Sequence, residues 1–336
     1  MKGIIVKQTE TANWLEYQDV PAPRLESSDL LIEVMAAGVN RTDLMTRHRQ
    51  AGYADEPVSA EVERVELGVE ISGVVVQVGD AVTDISVGDY VMGLVDGGGY
   101  AEYARMPASR AMHIPEGLEF TDAAAIPEVF LTAYQNLFWH GQLSEGQTVL
   151  IHAGASGVGT AAIQLVKQVP NTTVIVTAGS QEKLTFCQSL GADVLINYKE
   201  ENFADRVLEA TEGRGADIIM DFVGASYWSR NLESIAVEGR WLLIGALGGS
   251  LVPEVQLFDL MKKFVTLTGT LLTPRTAEYK ARLSHEFLAR FGQAFTDGQL
   301  RPVVDQVFDL SEAEAAQQRM KDNLNTGKIL LTNRSV

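Results

Sequence analysis

Three glycines and a serine stand close enough in this sequence to hold a phosphate. In Gly154-Ala155-Ser156-Gly157-Val158-Gly159 the missing Cβ atoms let the backbone turn tightly and approach a pyrophosphate. A helix starting there would aim its unpaired N-terminal amides at the negative charge. The spacing is GxSGxG, with Ser156 where the middle glycine of the common dinucleotide fingerprint would fall, so the flanking residues must decide. Val149-Leu150-Ile151 upstream has the length and apolarity of a buried strand. Thr160 to Gln168 downstream carries apolar residues at helical spacing and stops before Pro170, and a second apolar strand, Val174 to Gly179, follows at the distance a βαβ unit requires. The combination predicts a dinucleotide cradle.

The end of that second strand bears on which dinucleotide. Units that bind NAD place an acid there for the ribose 2′-hydroxyl. Here the residues are Ala178-Gly179-Ser180-Gln181, with no carboxylate before Glu182, and Lys183 lies on the first turn of the next helix. A 2′-phosphate is therefore not repelled, and NADPH is the expected cofactor. Two further strand ends, Phe222-Val223-Gly224 and Gly245-Ala246-Leu247, are expected in the same crevice, since ligands of open parallel sheets bind beyond the carboxyl ends of the strands.

The rest of the chain supplies the supports. With 336 residues, 46% of them apolar, two soluble domains are expected. No run of 18 apolar residues and no leader pattern occurs, so a cytoplasmic location is expected. The formal charge of −17 opposes nucleic acid and anionic membranes, and an anionic cofactor needs local basic residues. The lone Cys187, on a predicted helix, reads as an inert buried thiol. His48, His113, His140, His152 and His285 are scattered without ligand spacing and read as core or surface imidazoles.

Up to about Leu118 the pattern is short strands: Gly3–Lys7, Trp14–Gln18, Leu30–Ala36, Glu70–Val78 and Asp89–Gly93. This spacing suggests a partly open barrel. Asn40 can cap a short helix over the next residues, and the acidic stretch from Arg49 to Glu66 reads as a surface loop. Thr121 is expected to cap a helix running to Trp139. Strands and helices then alternate: Val194–Asn197, a helix from Phe203 to Glu209, Ala216–Asp221 and Arg240–Gly245, which means a doubly wound parallel sheet. Phe264 to Leu272 reads as a long apolar edge strand that a twofold partner would cover, making a homodimer. Thr276 to Phe295 is an amphipathic helix. A strand at Val303–Phe308, a helix opened by a capping box at Ser311 and Glu314, and a strand at Lys328–Thr332 return the chain to the first domain. The expected boundaries are 1–121 with 297–336, and 122–296.

Four further segments carry a resemblance: Ala36-Ala-Gly-Val-Asn-Arg-Thr-Asp43, Leu67-Gly-Val-Glu-Ile-Ser-Gly73, Gly97-Gly-Gly-Tyr-Ala-Glu-Tyr103 and Ala124-Ala-Ile-Pro-Glu-Val-Phe-Leu-Thr-Ala-Tyr134. Together with the glycine turn, the chain resembles the zinc-free quinone oxidoreductases of the medium-chain dehydrogenase/reductase superfamily. That likeness implies a Rossmann sheet of α/β class beside a β-rich GroES-like domain. It assigns Thr132 to the cofactor and pairs Lys183 with Tyr198 at the NADPH phosphate. At the positions matching the catalytic zinc ligands of metal-dependent relatives stand Asn40, Val69 and Glu128, and a single cysteine cannot supply the structural zinc site.

Without a Lewis acid the hydride acceptor must be electrophilic by itself, which a quinone or conjugated enone is. Asn40, Asp43 and Tyr53 are the residues the resemblance sets around that acceptor. An enoyl reductase acting on acyl thioesters or alkenals is the rival activity, and a non-catalytic NADPH-binding protein the rival of another class.

Overall fold

The computed structural model describes residues 1–9, 12–48 and 65–333. By packing they divide into two units, Met1–Leu131 with Leu272–Val336, and Thr132–Leu271. The chain opens with β1 (Lys2–Gln8), β2 (Asn13–Asp19), β3 (Asp29–Val39), α1 (Arg41–Arg47), β4 (Glu70–Val78), β5 (Tyr90–Leu94), β6 (Tyr103–Pro107), β7 (Met112–His113), α2 (Phe120–Ala124) and α3 (Pro127–Tyr134). Next come β8 (Thr148–Ile151), α4 (Gly157–Lys167), β9 (Thr173–Ala178), α5 (Gln181–Ser189), β10 (Val194–Asn197), α6 (Phe203–Ala210), β11 (Ala216–Asp221), α7 (Trp228–Ser234), β12 (Ile235–Leu243), α8 (Leu257–Lys263) and β13 (Thr266–Gly269). The last elements are α9 (Ala277–Thr296), β14 (Val304–Asp309), α10 (Ala313–Lys321) and β15 (Lys328–Thr332).

In the first unit one mixed sheet runs β14-β15-β3-β4-β5-β7, with β6 also on β3, and β1 pairs with β2 beside it. Strand β3 is long enough to serve β4, β6 and β15 at once, and register shifts after Leu31 and Val34 bend it. The bend wraps a core of Leu30, Ile32, Val34, Ile71, Val75, Val91, Met106, Ile329 and Leu331. Each such side chain, fully buried, contributes about 1.5–3 kcal/mol. The terminal strand β15 pairs antiparallel with β3, so the chain's end does return to its beginning.

The second unit is a six-stranded parallel sheet, β10-β9-β8-β11-β12-β13. Strand β8 is first in sequence and third in space. The chain builds outward through β9 and β10, then crosses back to β11, so the strand order reverses beside β8. That is where a parallel sheet leaves a crevice at its carboxyl edge.

Several expectations need correction. The helix foreseen from Thr121 to Trp139 is broken: α2 starts after Glu119 rather than Thr121, and α3 starts anew at Pro127, whose ring suits a first turn and not a helix interior. Beyond Tyr134 the chain continues as a wider π-type turn to His140. The apolar run from Phe264 is not one strand. Phe264, at φ 51°, closes α8 in the left-handed region, and β13 holds only Thr266–Gly269. The box before α10 pairs Asp309 with Glu312; Glu314 instead accepts the Leu15 amide and pairs with Arg47. Helix α9, expected in the cofactor domain, packs in the first unit, because Phe287 and Phe295 meet Phe130, and Lys280 bonds Asp96. Tyr53 lies outside the described residues.

Candidate active site

The cradle follows from what ends β8. After Ile151 the buried His152 donates its amide to Met220 on β11, and Ala153 takes a left-handed φ of 50°. Gly154 then bonds the Thr177 carbonyl of β9, so the turn is tied to the strand on each side. A Cβ on Gly154 would lie 2.9 Å from Val176, and one on Gly159 would lie 2.5 Å from the Ala153 and Gly154 carbonyl oxygens. Both positions require glycine for close packing of turn, helix and strand.

Ser156 caps α4, its hydroxyl accepting the Gly159 amide at 3.1 Å. The other first-turn amides, of Gly157 and Val158, have no carbonyl a turn earlier in the helix, and they sit at the partly exposed rim. An anion would be met there by backbone donors and the positive end of an eleven-residue helix.

The neighbouring loops converge on the same edge. Ser180 caps α5 by accepting the Lys183 amide, which sets Lys183 on its first turn. Gly179 is backed by Tyr198: a Cβ there would lie 2.8 Å from the phenol oxygen and 3.2 Å from Lys199 Cε. On the other side of β8, Ile244 and Gly245 donate to the Asp221 carbonyl and Leu247 to that of Phe222, which knits 222–224 to 245–247. Of the cofactor residues foreseen in sequence, these loops thus gather Gly154 through Gly159, Gly179, Ser180, Lys183, Tyr198, Phe222, Val223, Gly245, Ala246 and Leu247 at adjoining strand ends. Thr132 is buried, and its carbonyl accepts from Asn136, which in turn accepts the Thr270 hydroxyl.

The first unit holds Asn40 and Asp43 in a buried charged cluster. Asn40 donates to Glu70 at 2.8 Å and accepts from the Lys328 ammonium at 2.7 Å, while Lys328 also reaches Glu70 and the Val39 carbonyl. Glu70 in addition accepts the Glu128 amide at 2.7 Å. Asp43 is buried and accepts from the Asn40 and Gly68 amides and the Tyr100 hydroxyl. Burial pushes its carboxyl up to about 6 against those three bonds. Burial, with the Glu70 charge beside it, pushes Glu128 up to about 8. Val69, Glu128 and Lys280 border a cavity of about 10 Å³, too small for more than a water.

The residues at the expected metal positions do not suit zinc. Val69 has no donor atom, both polar ends of Asn40 are engaged, and the Lys328 ammonium already lies on Asn40 and Glu70. Asn40 and Asp43 likewise spend their polar atoms on their own unit. Sequence reasoning missed Glu70 and Lys328 here, and Asp221 and Asn231 in the second unit. For Glu70, Lys328 and Asp221 the available signal was a charged residue set in a mostly apolar strand, while Asn231 lies on α7 and gave no such signal.

The comparisons agree with this architecture. Residues 26–116 match the family described as "Alcohol dehydrogenase GroES-like domain", and residues 157–289 match "Zinc-binding dehydrogenase". Quinone oxidoreductase-like protein 2 homolog of Nematostella vectensis is 33% identical over 309 residues, covering 91% of this chain and 82% of the relative. Highly-reducing polyketide synthase 1 of Aureobasidium melanogenum is 30% identical across 100% of this chain, which spans only 15% of that protein. Among solved structures, Escherichia coli quinone oxidoreductase complexed with NADPH superposes with a TM-score of 0.86 at 25% identity, covering 99% of this chain and 100% of that one. An enoyl reductase superposes at 0.83 and 25% identity, covering 98% of each chain.

Proposed function

The chain belongs to the medium-chain dehydrogenase/reductase superfamily, and within it we propose an NADPH-dependent, zinc-independent reductase that delivers a hydride to a quinone or conjugated enone. The observation that carries this reading is the end of β9. Gly179 and Ser180 stand where an NAD site has an acid, the Tyr198 phenol lies against Gly179, and Lys183 follows on the first turn of α5. On a chain of net charge −17, such a strand end without a carboxylate suits a phosphate.

Bound NADPH would supply the hydride. The glycine loop would hold the pyrophosphate through the Gly157 and Val158 amides, and Lys183 and Tyr198 would take the 2′-phosphate by charge-assisted bonds. The first unit supplies no Lewis acid at its family-matching positions, so the acceptor must carry its own electrophilicity. Orienting two flat reactants can supply much of the rate. Asn40, at the end of β3 with its polar atoms held by Glu70 and Lys328, would border the acceptor as a wall rather than as a donor, and Tyr53 is the further candidate. We place Asp43 behind Asn40 as its support.

The enoyl reductase neighbour and the polyketide synthase relative favour a second reading, reduction of an acyl thioester's conjugated double bond. A panel of quinones, alkenals and enoyl thioesters, with NADPH oxidation followed for each, separates the two. Quinone turnover supports the first reading, thioester turnover the second, and turnover of none a binding protein.

A further inference from the structure

Behind the cradle, at the edge where β9, β8 and β11 end, runs a line of buried polar side chains. Thr177, His152, Asn231 and Asp221 are each at most 1% exposed. Asp221 accepts four hydrogen bonds: Trp241 Nε1 and Asn231 Nδ2 at 3.0 Å on one oxygen, and the amides of Val223 at 2.8 Å and Gly224 at 3.0 Å on the other. A carboxylate can only accept, so Asn231 must turn its amino group toward it and its carbonyl toward His152. His152 Nε2 lies 2.7 Å from that carbonyl and must carry the proton; Nδ1, 3.0 Å from Thr177 Oγ1, is left to accept the threonine hydroxyl. Every group has a partner, and the donors all point one way, from Thr177 to Asp221.

Each end of this line is attached to a loop of the cradle. Thr177 precedes Ala178 and Gly179, and its carbonyl holds the Gly154 amide. His152 begins the glycine turn. Asp221 fixes the amides of Val223 and Gly224. We infer that Thr177, His152, Asn231 and Asp221 form one directed hydrogen-bond chain that sets the spacing of the 154–159, 179–180 and 222–224 loops, with His152 the positioning residue held as a neutral Nε2–H tautomer. Burial, which holds His152 below its ordinary value, works in the same direction. This inference rests on the reading of those loops as a nicotinamide-dinucleotide cradle.

The test is NADPH titration, by quenching of tryptophan fluorescence, of the full chain carrying Thr177→Val, Thr177→Ser, Asn231→Leu, or Thr177→Val together with Asn231→Leu, each confirmed folded by circular dichroism. Thr177→Val keeps the volume and removes the hydroxyl, and should weaken NADPH roughly three- to thirtyfold, with kcat at saturating cofactor nearly unchanged. Thr177→Ser restores the hydroxyl and should bind within about twofold of the parent, on the same hydrogen-bond argument. Asn231→Leu should weaken binding similarly, and the double variant no more than the worse single change, because either break severs the same chain. If Asn231→Leu fails to fold, the two Thr177 variants decide alone. Wild-type affinity in folded Thr177→Val overturns the inference and leaves the cradle standing. A parent protein that does not bind NADPH overturns both.

Discussion

Lys328, at the start of the last strand, places its ammonium against the Glu70 carboxylate, and both side chains are almost wholly buried. The pair joins the two ends of the chain's β-rich unit, since Glu70 opens β4 and Lys328 opens β15, on either side of β3. Asn40 completes it from the end of β3. Lys328→Met would strand a buried carboxylate and should lower stability by about 3–5 kcal/mol, measured by urea unfolding. Adding Glu70→Gln should recover part of that loss, since the neutral amide needs no counter-ion. A double variant that loses the sum of the two single changes would show that the groups do not act as a pair.

Glu128 gives a pH dependence whose sign can be worked out. Its carboxyl is raised to about 8 in the folded chain, from 4.5 when unfolded, so the folded state binds the proton more tightly. The stability it contributes is complete below about pH 4.5 and is lost as pH rises through 8. Glu128→Gln keeps the neutral shape and should stabilise the protein at pH 8 to 9 by about 1–3 kcal/mol, less than full linkage because the residue keeps some solvent contact. It should have little effect near pH 4. Equal unfolding midpoints for the two proteins at high pH would contradict the burial assigned to this group.

Ser156 and Lys183 should act on cofactor affinity through different atoms. Ser156→Val removes the cap on the Gly159 amide and crowds the anion path, so KM for NADPH should rise about tenfold with kcat for a quinone little changed. Lys183→Glu replaces the ammonium on the first turn of α5 with a carboxylate that would repel the 2′-phosphate. It should erase most of the preference for NADPH, roughly ten- to a hundredfold, by steady-state comparison of the two cofactors.

The surface around α8 and β13 bears on assembly. Leu257, Phe258, Met261, Phe264 and Leu267 are exposed, and among the described residues β13 is an edge strand with one free side. A twofold partner pairing along β13 would cover both the edge and the apolar side chains. Light scattering at micromolar concentration should therefore give twice the chain mass, and Leu267→Lys should shift the protein toward monomer. A monomeric parent would contradict this.

The second unit was largely legible in the sequence because its strands are short apolar runs between helices. Val194–Asn197 and Ala216–Asp221 emerged with the bounds read from the residues. What stayed hidden was set by tertiary contacts. Phe264 is apolar and follows a helix, yet nothing local announces that it closes α8 in a left-handed turn rather than starting β13. Helix α9 has an ordinary amphipathic pattern, and only the Phe130 ring shows which unit its aromatic face meets. The charged cluster was invisible for a similar reason: Glu70, Asn40 and Lys328 are separated by up to 288 residues and meet only through the pairing of β3 with β4 and β15. His152 was read as a core or surface imidazole, and the structure puts it in the core.

Whether this chain is an NADPH-dependent, zinc-independent reductase is decided by comparing kcat/KM for NADPH and NADH against one simple quinone, using protein freed of metal by chelator and checked by elemental analysis. Metal-free protein should oxidise NADPH rapidly and prefer it over NADH by roughly ten- to a hundredfold. Equal values for the two cofactors, activity that returns only with stoichiometric zinc, or no oxidation of NADPH by any quinone would contradict it.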